Sequence, residues 1–248
     1  MACGFIIRRA KTADTRCTMR PAPVLSNRDV AARFDDAAAT YDSRSNVYAM
    51  YRRASALAGH VRGRSLEVGG GTGAVIASLP DRSRAIHSDI APRMCRLAAK
   101  KLGCPSLCFD AEAMPLSDEQ VDTLVSAEMI YYLSRPERFL AEAHRVLRPG
   151  GRLVLSTTNA TMGFLDHGRT VLRKLGFRRM FFDDGSPHFP SIAEVTHALR
   201  DAGFAVEHVR HVVVAPFAWC NPVNRLLERT PVRRFALFVV VVARKFPR

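Results

Sequence analysis

The sequence predicts an α/β domain: a seven-stranded, mostly parallel sheet with helices on both faces, preceded by a helical cap and interrupted by an inserted lid. Three observations predict it. Short apolar runs alternate with amphipathic stretches of helical period. One apolar run empties into a cluster of glycines that opens the next helix, the arrangement in which bare backbone meets an anionic or nucleotide-like ligand. The composition, 48% hydrophobic and 24% charged over 248 residues, is that of a globular chain of one α/β domain or two small ones.

The elements follow in order. Residues 1–27 show no periodicity and read as a disordered or leader-like arm; Met19 is as good a start as Met1. Residues 28–248 read as the domain, with a helical cap over 28–60. Val30, Phe34 and Ala38 recur at helical spacing across Asn27–Tyr41, and a second helix covers Val47–Gly59. Ser65–Gly69 is a short strand, Thr72–Leu79 a helix stopped by Pro80, and Ala85–Ile90 a strand. Pro92–Leu102 has proline in its first turn and Gly103 beyond its end, the usual helix punctuation. Strands follow at Ser106–Phe109 and at Val121–Ser126, the latter apolar enough for burial on both faces. Arg135–Leu147 carries Phe139, Ala143 and Val146 on one stripe. Pro149-Gly150-Gly151 then turns the chain into strand Arg152–Ser156. Residues 160–190 break the rhythm. They are long for a connection and rich in phenylalanine (164, 177, 181, 182, 189), so they read as a lid over the carboxyl ends of the strands, where open α/β sheets bind ligands. A helix over Ser191–Ala202 and strands Ala205–Val214 and Phe235–Ala243 complete the sheet.

The formal net charge is +14, and its placement argues against nucleic acid. Residues 31–134, which hold the glycine loop, are net neutral; the excess sits in the flanks, with +7 over 135–180 and +6 over 221–248. Arg225, Arg229, Arg233 and Arg234 surround Val223, Leu226, Leu227 and Val232, a pattern suited to peripheral contact with an anionic membrane or to a solvated basic turn. Six cysteines in a chain of this length without an apolar leader read as reduced. Cys104 and Cys108 have no second pair or nearby histidine, so no metal site is expected. The longest apolar run, Phe235–Ala243, is too short to span a membrane. The expected compartment is the cytoplasm; oligomeric state is not encoded legibly.

The glycine loop alone is ambiguous. Gly69, Gly71 and Ala74 fit the dinucleotide fingerprint, and Asp89 lies where a ribose-binding acid belongs, so an NAD(P)-dependent oxidoreductase competes. The fuller pattern narrows the choice. It comprises Phe34-Asp-Asp-Ala-Ala-Ala-Thr-Tyr41-Asp42, then Glu67-Val-Gly69-Gly70-Gly71-Thr-Gly73. Ser88-Asp89-Ile90-Ala-Pro-Arg-Met94 and Phe109-Asp110-Ala111-Glu112 follow, and last Glu142-Ala-His-Arg-Val-Leu-Arg-Pro149-Gly150-Gly151. With this ordered set the chain resembles the class I S-adenosylmethionine-dependent methyltransferases over roughly residues 30–158, in the small-molecule branch that includes quinone-biosynthesis and biotin-pathway enzymes.

The resemblance implies a Rossmann-like fold, S-adenosyl-L-methionine as cofactor, and a small, apolar or aromatic acceptor, with oxygen favoured over carbon as the methylated atom. By position it implies that Val68 and Gly69, Gly70, Gly71 and Gly73 pack under the methionyl part, and that Glu67 steadies the loop and meets the ammonium. Asp89 takes the ribose hydroxyls, Ile90 and Met94 flank the adenine, and Asp110 and Ala111 bond its edge. Ser126 faces the cofactor's reactive end, and Tyr41 closes over the cofactor. For a general base the candidates are Glu128, Tyr131 and Tyr132 after the fourth strand, and His167 and His188 in the expected lid. The chemistry of the rivals is missing. No tyrosine is followed four residues later by lysine, as short-chain reductases require. Ser126-Ala-Glu-Met stands where a base-amine methyltransferase carries Asp/Asn-Pro-Pro-aromatic.

Overall fold

The computed structural model describes residues 25–160 and 189–246. Ser26 starts helix α1 (Asn27–Ala37): its hydroxyl accepts the amide of Asp29, whose carboxylate accepts the Ser26 amide in return, a reciprocal cap. This Ser-x-x-Asp signal places the helix start at Asn27, where the helical spacing begins. A single 3₁₀ turn leads to the short α2 (Tyr41–Arg44), and Asn46 caps α3 (Val47–Ala58) by accepting the Ala49 amide.

The sheet then builds as β1 (Ser65–Val68), α4 (Ala74–Ala77), β2 (Ala85–Asp89), α5 (Pro92–Leu102), β3 (Ser106–Cys108), β4 (Val121–Ala127), α6 (Pro136–Val146) and β5 (Leu147–Thr158). After the undescribed stretch come α7 (Ile192–Asp201), β6 (Phe204–Val212), α8 (Asn221–Leu227) and β7 (Phe238–Lys245). The strand order is β3-β2-β1-β4-β5-β7-β6, parallel through β5, with β7 antiparallel to both neighbours. The order reverses at β1, so the crevice at the carboxyl edge opens beside the glycine loop.

Alternating side chains sort into two cores because successive strand residues point to opposite faces. Leu124, Leu153, Leu155, Val239 and Val241 join Phe139 and Leu140 of α6 and Val195 and Leu199 of α7. Val125, Val154, Val240 and Val242 join Ala54 and Leu57 of α3 and Val75 of α4. Helices therefore cover both faces, as expected.

Several boundaries differ from the sequence reading; β5 starts at Leu147 and ends at Thr158, longer than the expected Arg152–Ser156, and the helix expected over Asn27–Tyr41 divides into α1, the 3₁₀ turn and α2. The helix expected over 72–79 is confined to α4, because Gly73 at its N-cap is left-handed (φ +78°) and a Cβ there would collide with Leu102. Phe235 belongs to a 3₁₀ turn and is exposed, so the last strand starts at Phe238. The connection read as a basic turn contains α8, with Pro222 in its first turn. The domain division and the inserted lid remain expectations: residues 1–24 and 161–188, including His167 and His188, lie outside the described residues.

Candidate functional site

The candidate residues line up along the carboxyl edge of the sheet in strand order. Asp110 follows β3, Asp89 ends β2, Gly69–Gly73 follow β1, Glu128 follows β4, Thr158 ends β5 and Phe238 begins β7. A cleft of about 500 Å³ runs over this row, within the range of small-molecule sites. Its roof comes from the cap helices: Asn27, Val30 and Phe34 of α1, Tyr41 of α2, and Ala49, Met50 and Arg53 of α3. With strands about 4.8 Å apart, Asp89 and Glu128 stand roughly 10 Å from each other across β1, the scale of an adenosyl group and its substituent.

At the centre, Asp89 accepts the Gly71 amide at 2.7 Å and the Ala91 amide at 2.9 Å, one on each carboxylate oxygen. Each oxygen keeps a second lone pair for a ligand hydroxyl. Burial raises the Asp89 pKa, against the lowering effect of these amides. A Cβ on Gly71 would project toward Tyr41 at 3.7 Å, so glycine keeps this part of the wall open. Asp110 is held in place by its own turn, accepting the Glu112 amide. It also accepts the Asn27 side-chain amide at 2.6 Å, which ties α1 to this end of the cleft.

At the other end stands Glu128. Its backbone is left-handed (φ +56°), a conformation that costs a non-glycine residue about 1–3 kcal/mol and that clusters at functional sites. Its carboxylate accepts three hydroxyls: Ser156 at 2.7 Å, Thr158 at 2.7 Å and Tyr131 at 3.1 Å. Tyr131 and Tyr132 pack against each other, and Phe189, at the described end of the phenylalanine-rich stretch, sits edge-on to Tyr131 at 4.9 Å.

Of the residues the resemblance singled out, Tyr41, Val68, Gly69, Gly71, Asp89, Ile90, Asp110, Ala111, Glu128 and Tyr131 line the cleft. Five do not. Glu67 is buried, and its oxygens accept the Val75 and Ile76 amides at the start of α4. It thus steadies the turn but does not reach a ligand's ammonium. Burial pushes its pKa up to about 7. Gly70 packs over Glu67 and His87, and Gly73 over Leu102. Met94 is fully buried with Ala38 and Ala91, behind the wall it was expected to form. Ser126 is buried, its hydroxyl without a partner among the described residues; Ala127 and Glu128, not Ser126, line the cleft.

The sequence reading missed Arg53, Asn27, Phe109 and Phe238. Arg53 is the informative omission. Its guanidinium lies over the Phe238 ring at 4.8 Å, its Nε is buried without a partner among the described residues, and it is close enough to Glu67 to stabilise that charge. The signal was present: Asn46, Ala49, Met50 and Arg53 share one face of α3 at spacings of three and four. Among the described residues no group of His, Cys, Asp and Glu is placed to hold a metal ion.

A rigid acid at the end of β2, a glycine loop after β1 and a crevice at the reversal of strand order define a nucleotide-cofactor fold. Comparison with known proteins settles which. The "Methyltransferase domain" family matches residues 66–155. The ubiquinone/menaquinone biosynthesis C-methyltransferase UbiE of Syntrophotalea carbinolica is 32% identical over 64% of this chain and 74% of its own. The malonyl-[acyl-carrier protein] O-methyltransferase of Laribacter hongkongensis is 33% identical over 71% of this chain and 63% of its own. Among solved structures, a possible histamine N-methyltransferase from Thermotoga maritima superposes with a TM-score of 0.65 at 23% identity, over 86% of this chain and 99% of that one, a likeness of fold. The chain belongs to the class I S-adenosylmethionine-dependent methyltransferases, within their small-molecule branch, and the cofactor of that family is S-adenosylmethionine. It spans about half the length of several curated relatives that it matches.

Proposed function

We propose that the protein transfers a methyl group from S-adenosylmethionine to a hydroxyl of a small apolar or aromatic acceptor, with Glu128 as the base. The observation that carries this reading is the Glu128 carboxylate: held by three hydroxyls, on strained backbone, and facing the cleft two strands from Asp89. When bound, the cofactor supplies a methyl already activated by the positive charge of its sulfonium. Asp89 holds the ribose hydroxyls, Asp110 and Ala111 meet the adenine edge, Ile90 packs on its face, and Gly69 and Gly71 let the methionyl part approach the backbone. Arg53, the arginine that lines the cleft, would pair with the methionyl carboxylate. Tyr41, Phe34 and Tyr132, stacked edge to face, keep water from the reacting centre. Glu128 would take the proton of the acceptor hydroxyl, and the hydroxyls of Ser156, Thr158 and Tyr131 orient the receiving oxygens.

A carbon acceptor is the second reading, favoured by the likeness to a quinone-pathway C-methyltransferase. One experiment separates the two. Methyl transfer from labelled cofactor is measured over a panel of phenols and quinols, for the wild type and Glu128→Gln, alongside calorimetry with adenosylhomocysteine. Loss of the base lowers hydroxyl methylation about 10²–10⁴-fold and leaves cofactor affinity unchanged. Wild-type turnover on a hydroxyl acceptor removes Glu128 from this role.

A further inference from the structure

The stretch between β6 and β7 is built with its polarity inverted. A surface helix ordinarily turns apolar residues inward and polar residues outward. Here Asn224 of α8 is fully buried: its oxygen accepts the Val214 and Ala215 amides, and its nitrogen donates to the Ala215 carbonyl and the Tyr48 hydroxyl. Glu228 is also turned in, accepting from Arg52, Arg210 and the Val213 amide. The apolar residues face out. Trp219 is 79% exposed and stacked on Phe217, Leu226 is 65% exposed, and Val223, Val232 and Phe235 are exposed beside them. Buried hydrogen bonds hold this arrangement, so the outward apolar face is fixed in place.

The charge on the same stretch is one-sided. Arg225, Arg229, Arg233 and Arg234 are exposed, and the only acid between residues 217 and 237 is the inward-facing Glu228. The stretch sits at the cleft side of the sheet. The Asn159 side chain donates to the carbonyls of Arg234 and Ala236, and Phe238, the first residue of β7, lines the cleft.

We propose that residues 217–235 form an interfacial anchor that rests on an anionic lipid surface and turns the acceptor end of the cleft toward it. An exposed tryptophan and phenylalanine among arginines match the boundary between headgroups and acyl chains, where amphipathic rings settle and guanidinium groups meet lipid phosphates. A second copy of the chain fits poorly, because an isologous contact would set four arginines against four. The anchor is independent of the proposed hydroxyl acceptor and of Glu128.

Trp219 is the only tryptophan in the chain and therefore reports directly. The full chain is titrated with vesicles of one part phosphatidylglycerol to two parts phosphatidylcholine, then with phosphatidylcholine alone. The mixed vesicles blue-shift the Trp219 emission, brominated lipid quenches it, and the protein co-sediments with them. Each of Arg225→Gln, Arg229→Gln and Arg233→Gln lowers vesicle affinity about five-fold, and salt weakens it further. Leu226→Ser lowers affinity on both vesicle types, while calorimetry with adenosylhomocysteine confirms that every variant is folded. No shift and no co-sedimentation with mixed vesicles overturns the proposal. So does a shift produced by polyglutamate but not by vesicles, which marks an acidic protein partner, or one produced by concentration alone, which marks self-association.

Discussion

Glu67 shows how far a motif residue can serve the fold without touching a ligand. Its carboxyl is buried and its pKa is raised to about 7, first by desolvation and secondarily by the charge of Asp89, against the two amides of α4. An acid with a raised folded pKa destabilises the fold as pH increases. Below about 4.5 both states are protonated. Between about 4.5 and 7 the unfolded chain ionises while the folded one does not. Above 7 the loss is complete, at roughly 3 kcal/mol. Glu67→Gln lacks this dependence. In urea denaturation the stability of the variant relative to wild type should rise by that order from pH 4.5 to pH 8, with cofactor affinity unchanged; a gap independent of pH would mean that the carboxyl is ionised throughout. The residues that were legible in the sequence, Asp89, Asp110 and Glu128, stand at or just beyond the ends of strands, where local order alone brings them to one edge. Asn27 was not, because only the docking of α1 over the sheet carries it into the cleft; Arg53 was legible only as part of one face of α3, with nothing local to say that this face meets the cleft. Met94 and Ser126 stand beside the cleft but turn away from it: Ser126 neighbours the cleft-lining Ala127 on β4, and Met94 faces inward on α5 against Ala38 and Ala91.

The cap helices are tied to the nucleotide side of the sheet by a small set of polar contacts. Thr72, inside the glycine loop, donates to Asp42 of α2 at 2.6 Å, and Lys101 of α5 pairs with the other oxygen of that carboxylate at 3.0 Å. Asp35 of α1 accepts from the Arg93 amide and pairs with its guanidinium. Thr72→Val removes the loop-to-cap bond while Lys101 still partners Asp42. A net bond of about 1 kcal/mol then predicts a melting temperature lower by about 2–4 °C and adenosylhomocysteine affinity weaker by about five-fold. An unchanged affinity would mean that the cap contributes nothing to the bound state. Most elements were readable because strand and helix periods both match burial: Phe139, Ala143 and Val146 fall inward on α6, and Leu124 and Val125 point to opposite cores. The helix α8 escaped because its buried residue is Asn224 and the Glu228 that follows it also turns inward, so the pattern that marks a helix by its apolar stripe was reversed.

At the scale of the molecule, the cleft is a seam between the carboxyl edge of β3, β2, β1 and β4 below and α1 to α3 above, with α3 packed onto the sheet through Ala54 and Leu57 and α1 tied to that edge through Asn27 and Asp35. A ligand filling the seam bridges them, so its binding energy adds to the cooperativity of the whole fold. At a hundred times its dissociation constant, adenosylhomocysteine stabilises the folded state by about 2.7 kcal/mol. For a domain of this size that raises the melting temperature by about 5–11 °C. NAD at the same concentration should give no shift, because the carboxylate row from Asp110 to Asp89 suits an adenosyl group whose tail is a zwitterion, and the cleft offers Arg53 as a cation for that tail. Asp89→Ala should abolish most of the shift, since two charge-assisted hydrogen bonds of about 1.5–3 kcal/mol each are lost while the unliganded fold keeps its core. A full shift in that variant, or a shift with NAD and none with adenosylhomocysteine, would contradict the placement of the cofactor along this edge.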